Sequence, residues 1–209
     1  ASDRLESLKK RQAELQKEAV RLGELLREKR LQAAKEMELD ICEELRQLDM
    51  PKIRFVCEFT PQEPAETGLD SVRFLMSANV GEALKPLSKV ASGGELARIM
   101  LAMKQVLAQQ DGVPTLIFDE VDAGVSGRAA QKVALKLWAV SKGRQVLCVT
   151  HLPQIAAMAD AEFTVEKRVE HERTYTSVLH LDDAGRRQEL ARLIGGSMIT
   201  ETTLAGAAE

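Results

Sequence analysis

Leucine recurs every seventh position near the start of the chain, at Leu8, Leu15 and Leu22, with Leu5, Ala19 and Leu26 on the neighbouring seam. Between Ala1 and Asp49 there is no proline and a single glycine, Gly23, while Lys, Arg, Glu and Gln crowd the other positions. Those side chains lose little freedom in a helix, so the segment is expected to form one long helix. Its apolar stripe has the narrow heptad form of a coiled-coil seam. Met37, Ile41, Leu45 and Leu48 continue it in a shifted frame, which places a stutter near Lys29–Ala33. The other reading is a charged surface helix packed on the domain. No second long helix of this kind follows, so the partner helix is expected from another chain or from sequence outside these 209 residues. On the coiled-coil reading, residues 1–45 are removable at little cost to the remainder.

The texture changes at Pro51. The runs 53–59 and 71–76 alternate as strands do, and the polar stretch 60–68, with its prolines, reads as their connection in a hairpin or edge pair. A loop is expected over 79–92, then a helix from Gly94 to about Gln109 with Leu96, Ile99, Met103, Val106 and Leu107 on one face. The run 115–118 stops at Asp119, a helix follows from about Ser126 to Val140, and the run 145–149 stops at Thr150 and His151. Short, wholly apolar strands alternating with helices predict a parallel sheet covered on both faces. Segments 161–169 and 174–181 read as a closing hairpin, and 186–193 and 197–207 as terminal helices. Met100, Met103 and Trp138 fall at core spacing on their helices, whereas His171 and His180 have no metal-ligand spacing. The expected organisation is therefore a coiled-coil segment, 1–50, followed by an α/β lobe, 51–209.

Composition narrows the function. With 44% hydrophobic residues the chain can bury a core, and no apolar run approaches the roughly 20 residues that span a bilayer. The three cysteines, Cys42, Cys57 and Cys148, are widely separated, which argues against a disulfide scaffold or a zinc finger. A net charge of −3 gives no net attraction to a phosphate backbone, so charge neither argues for direct nucleic-acid binding nor excludes it.

The chemistry gathers where this architecture puts a site. In an open parallel sheet, ligands bind beyond the carboxyl ends of the strands. That edge carries Asp119 and Glu120 after one strand and His151 after another. Of two adjacent carboxylates, one can hold Mg²⁺ while the other accepts a proton from attacking water; alternatively, strand-terminal acids cap the following helix. Ser92, Gly93, Gly94 and Glu95 open the preceding helix. Free amides, the helix dipole and two glycines make an anion site there, and a capping box explains the same residues.

The order of these parts resembles the C-terminal half of an ATP-binding-cassette ATPase head of the SMC type. The strings 90–98, 118–127, 150–154 and 189–196 are similar to those of bacterial SMC-like DNA-repair proteins, and the likeness covers residues from about 85 to 200. It implies that Ser92, Gly93, Gly94 and Glu95 are the signature motif contacting the γ-phosphate of ATP held by an opposing head. Asp119 would serve Mg²⁺, Glu120 would activate water, His151 would sense the γ-phosphate, and Asp122 and Ser126 would lie in the D-loop. Ala91 stands where related heads usually have Leu, and Ser126 where they have an acid. No G-x-x-x-x-G-K-[ST] string occurs in the 209 residues, so the chain is expected to be half of an active site, inactive alone. The implied partners are an N-terminal half-head carrying that loop, a second head in an ATP-dependent homodimer, and DNA through the full assembly. The implied setting is the cytoplasm, at the nucleoid, with no membrane partner. Two other readings are a metal-dependent nuclease or phosphatase built on Asp119, Glu120, Asp122 and His151, and a structural coiled-coil protein with a vestigial head.

Overall fold

The structure, a computed structural model, describes residues 2–77, 81–89, 93–108, 110, 112–170, 173–196 and 199–208. It forms two compact units, residues 1–91 and 92–209.

In the first unit, α1 (Ser2–Gln47) leads to β1 (Arg54–Ala65) and β2 (Gly68–Ser77), followed by the two-residue β3 (Lys85–Pro86) and a 3-10 turn at Leu87–Lys89. The strands form an antiparallel sheet in the order β1-β2-β3. The first half of α1 keeps its leucines bare: Leu8 is 60% exposed and Leu15 53%. From Gly23 onward the helix packs on β1 and β2. A Cβ at Gly23 would lie 2.6 Å from Cγ of Leu69, so the only glycine of the helix is where the hairpin tip comes closest. Arg27 then grips the buried Asp70 with two bonds, at 2.7 and 2.9 Å, and Glu38 accepts the Cys57 N–H at 2.6 Å. Ile41, Leu45 and Leu48 are fully buried. The removable segment expected at 1–45 is thus corrected: past Gly23 the helix belongs to a core. The frame change read near Lys29–Ala33 lies just beyond the change from a bare stripe to a packed face. The helix ends in a Schellman turn, with Asp49 left-handed at φ 65°, Met50 N–H donating to Leu45 O, and Pro51 following.

In the second unit, α2 (Gly93–Val106), β4 (Thr115–Phe118), α3 (Gly127–Val140), β5 (Gln145–Cys148) and the short α4 (Pro153–Ala156) follow in order. Then come β6 (Phe163–Glu170), β7 (Arg173–His180), α5 (Asp183–Gly195) and α6 (Glu201–Gly206). Strands β4 and β5 pair in parallel, Thr115 with Gln145 through Phe118 with Cys148, and β6 and β7 make the expected hairpin. Helix α3 packs against α2 and α4, burying Ala130, Val133, Ala134, Leu137 and Val140.

Two expectations change here. Leu116 and Phe118 are buried, but Ile117 is 70% exposed and Leu147 and Val149 also face solvent. The parallel pair is covered on one face only, because the described residues supply nothing to lie on the other. Trp138 is also not core: it stands on the outer side of α3, with Lys142 Nζ 3.8 Å above its ring. Met103 is buried, whereas Met100 faces out.

Candidate functional site

Parallel pairing of β4 and β5 brings both strand ends to one edge, and Val149 N–H donates to Phe118 O at 2.9 Å as the pair closes. The loop after β4 carries Asp119, Glu120, Val121, Asp122 and Ala123, and the loop after β5 carries Thr150 and His151. Asp119 and Glu120 are exposed, Val121 and Asp122 buried. Glu120 has φ 58°, a left-handed backbone that costs a non-glycine residue about 1 kcal/mol or more. Such strain is held by the surrounding packing and is common at working sites.

That packing comes from α2. A Cβ on Gly94 would lie 2.7 Å from the Ala123 Cβ and 2.9 Å from the Ala123 carbonyl oxygen, and a Cβ on Gly93 would collide with Oε2 of Glu120. Gly94 is therefore required by close approach to the backbone of the loop after β4, whatever ligand the helix end receives, whereas Gly93 faces only the far end of the Glu120 side chain. Arg98, one turn further along α2 and 7% exposed, donates to Ala123 O at 2.7 Å and to Val121 O at 3.4 Å. Burial lowers its pKa, partly offset by Glu95. Sequence reasoning gave Arg98 no role; the available signal was its place beside Ile99 and Ala102 on the inward rows of α2.

The two loops are tied together by Asp122. Its Oδ2 accepts the Thr150 hydroxyl at 2.6 Å and the His151 N–H at 3.0 Å, and lies 3.1 Å from His151 Nδ1. The imidazole is otherwise open to solvent, with the side chain 73% exposed. Cys148, at the end of β5, has its thiol pushed up to about 12 by burial and then by the charges of Asp122 and Asp119. The Thr150 hydroxyl is a second group that sequence reasoning left without a role.

The structure thus brings Gly93, Gly94, Asp119, Glu120, Asp122 and His151 to one edge. Ser92, with Val90 and Ala91, lies outside the described residues, as does His171. Glu95 is half-buried in the first turn of α2. Ser126 is the N-cap of α3, although its side chain makes no capping bond. Among the described residues no three His, Cys, Asp or Glu side chains converge as a metal cage.

Solved structures share the fold. The chain resembles the Smc head domain with a coiled coil and joint derived from Pyrococcus yayanosii, with TM-score 0.60 and 21% identity over 90% of this chain and 34% of that one. It also resembles the Smc head domain with an extended coiled coil from Pyrococcus furiosus, with TM-score 0.53 and 22% identity over 90% of this chain and 44% of that one. The fold is accordingly that of the C-terminal lobe of an SMC-type head with the adjoining part of its coiled coil. No family model matches the chain. Among curated proteins it is 47% identical to the DNA repair protein RecN of Halalkalibacterium halodurans, over 83% of this chain and 32% of that protein. It is 46% identical to RecN of Bacillus subtilis, over 81% and 32%, and 45% identical to RecN of Vibrio cholerae, over 91% and 35%. The chain belongs to the RecN family and spans about a third of the length of the relatives it matches.

Proposed function

We propose that this chain is the C-terminal portion of an SMC-like ATPase that acts in DNA double-strand-break repair and recombination, and that it supplies one half of each ATP site. The observation that carries the reading is the meeting, at one sheet edge, of the α2 N-terminus, the Asp119–Glu120 pair and His151. In this reading Ser92, Gly93, Gly94 and Glu95 offer helix-end donors to a γ-phosphate. Glu120 takes a proton from the attacking water, and His151 contacts the phosphate being transferred. Asp122 and Ser126 shape the loop between them.

The residues fit Mg²⁺ of the kind held mainly by nucleotide and water. Such an ion takes one or two carboxylates besides phosphate oxygens, and Asp119 is an exposed carboxylate at the strand end. When bound it would neutralise charge on the phosphates. The likeness to RecN proteins and to Smc head folds favours the ATPase reading over a nuclease or phosphatase.

The missing half would bring the glycine- and lysine-containing phosphate loop, which none of the 209 residues forms. The bare face of β4 and β5, with Ile117, Leu147 and Val149, is the surface such a half would cover. We place two such heads in an ATP-dependent homodimer, with DNA engaged by the complete assembly in the cytoplasm at the nucleoid. Among the described residues no helix is long and apolar enough to cross a membrane.

The test is Glu120→Gln in a protein that carries both halves. Turnover should fall by about 10²-fold or more while ATP binding persists. Turnover within a few-fold of the parent would mean that Glu120 is a capping residue.

A further inference from the structure

Asp122 is buried, whereas the acids before it in the same loop are exposed, so its carboxylate faces protein. All three of its contacts come from the end of β5. The Thr150 hydroxyl that donates to Oδ2 also accepts the Leu152 N–H at 3.1 Å, which fixes the rotamer of Thr150 and with it the carboxylate. We propose that Asp122 is a positioning residue that selects the tautomer of His151 and aims its Nε2 outward, to the side from which a phosphate approaches.

The chemistry follows from the contact. Nδ1 lies 3.1 Å from Oδ2, a close approach of two polar atoms; a carboxylate offers only lone pairs there, and a bare Nδ1 would set lone pair against lone pair, so the proton is placed on Nδ1. Imidazole free in water prefers its proton on the other nitrogen, so Asp122 imposes the less populated form. With Nδ1–H committed, neutral His151 presents a bare lone pair at Nε2, able to accept a proton. To donate to a phosphate oxygen it takes up a second proton at Nε2, with Nδ1–H still turned toward Asp122. The same carboxylate receives the His151 backbone N–H, so the ring and its main chain are held from one point. Asp122 therefore acts on a nucleotide through His151. The proposal rests on the ATPase reading only for its consequence on turnover; the tautomer is a property of this chain alone.

The test has two arms. The chain has three histidines, His151, His171 and His180, so isotope-labelled histidine nitrogens can be assigned by NMR with a His151→Gln variant. The neutral form of His151 should carry its proton on Nδ1 in the parent and revert to the water-like Nε2–H form in Asp122→Ala. An Nε2–H parent overturns the proposal without any variant, and so does a folded Asp122→Ala chain that keeps Nδ1–H. Should Asp122→Ala not fold, the parent spectrum still decides. In a protein carrying both halves, Asp122→Ala should lower kcat for ATP about tenfold or more, with KM within about threefold, as expected for a misplaced group. Asp122→Asn, which keeps an acceptor, should recover part of that loss. Glu120→Gln is measured beside them. If it leaves turnover intact, the ATPase reading fails; if it stops turnover and Asp122→Ala does not, only the positioning role fails.

Discussion

Leu45→Ala separates the two halves of the long helix. Leu45 is fully buried beneath the β1–β2 hairpin unit, on the same face as Ile41 and Leu48, whereas Leu15 is 53% exposed on the bare stretch before Gly23. Deleting a fully buried leucine side chain loses its transfer energy and leaves a cavity, about 2–5 kcal/mol in total. In a unit of this size each kcal/mol moves the midpoint by about 4–8 °C, so Leu45→Ala should lower the melt by on the order of 10 °C or more. The same change at Leu15 removes little burial and places a better helix former on the surface, so its effect should stay within about 0.5 kcal/mol. Far-UV circular dichroism is the suitable assay, since α1 is by a wide margin the longest helix. Trp138 fluorescence follows the second unit separately, because the chain has one tryptophan. Equal shifts for the two variants would refute the packing of α1 on the hairpin and restore a helix that is bare along its whole length.

Three further outcomes follow from the same contacts. Gly94→Ala puts a methyl against the Ala123 carbonyl, which is backbone and cannot swing aside, so it should cost about 1–3 kcal/mol in a melt followed by Trp138; a neutral result would contradict the close approach of α2 to the site loop. Arg27→Ala should destabilise more than Arg21→Ala in denaturant titrations, because Arg27 serves the buried Asp70 whereas the Arg21–Glu18 pair is exposed and screened by solvent; equal effects would contradict the role of Arg27. The thiols of Cys57 and Cys148 are raised to about 11 and about 12 from an ordinary 9.0, chiefly by burial. The folded form therefore holds those protons more tightly. The stability they contribute is present below pH 9 and lost as pH rises toward 11–12, and stability that kept rising over that window would contradict the assignment.

The elements of the second unit were legible because their ends are chemically marked. An apolar run stopping at Asp119, or at Thr150 and His151, leaves little freedom in placing β4 and β5, and Gly93 and Ser126 mark the helix starts to within a residue. The hairpin of the first unit was longer than its sequence implied: Pro61 and Pro64 read as a connection, yet both lie within β1. There, among the described residues, β1 pairs with β2 alone, and the register slips between Pro61 and Ala65. A missing N–H is tolerated on such an edge. Gly23 gave no local sign of a partner, since what it accommodates, Leu69, is remote in sequence. Trp138 follows the same helical count as a core residue but falls on the outward side, which periodicity alone assigns poorly for a large amphipathic ring. The site residues were named by motif, but the inward turn of Asp122 and the clamp from Arg98 are long-range facts that no spacing encodes.

We propose that this chain completes ATP sites shared between two heads, and a linked heterodimer separates that arrangement from sites built within one head. One full-length copy carries Ser92→Arg, which fills the helix-end anion site; the other carries a substitution of the lysine in the phosphate loop of the missing half. Each homodimer should be inactive, since both of its sites are damaged. If α2 serves the nucleotide of the opposing head, the heterodimer gathers both defects into one site, leaves the other whole, and regains a measurable share of ATP hydrolysis. The closeness of Gly93 to Glu120 of the same chain makes the alternative concrete: if each chain served its own nucleotide, both sites would stay broken. An assembled heterodimer in which neither site reaches the parent's single-turnover rate for bound ATP would contradict the shared-site account.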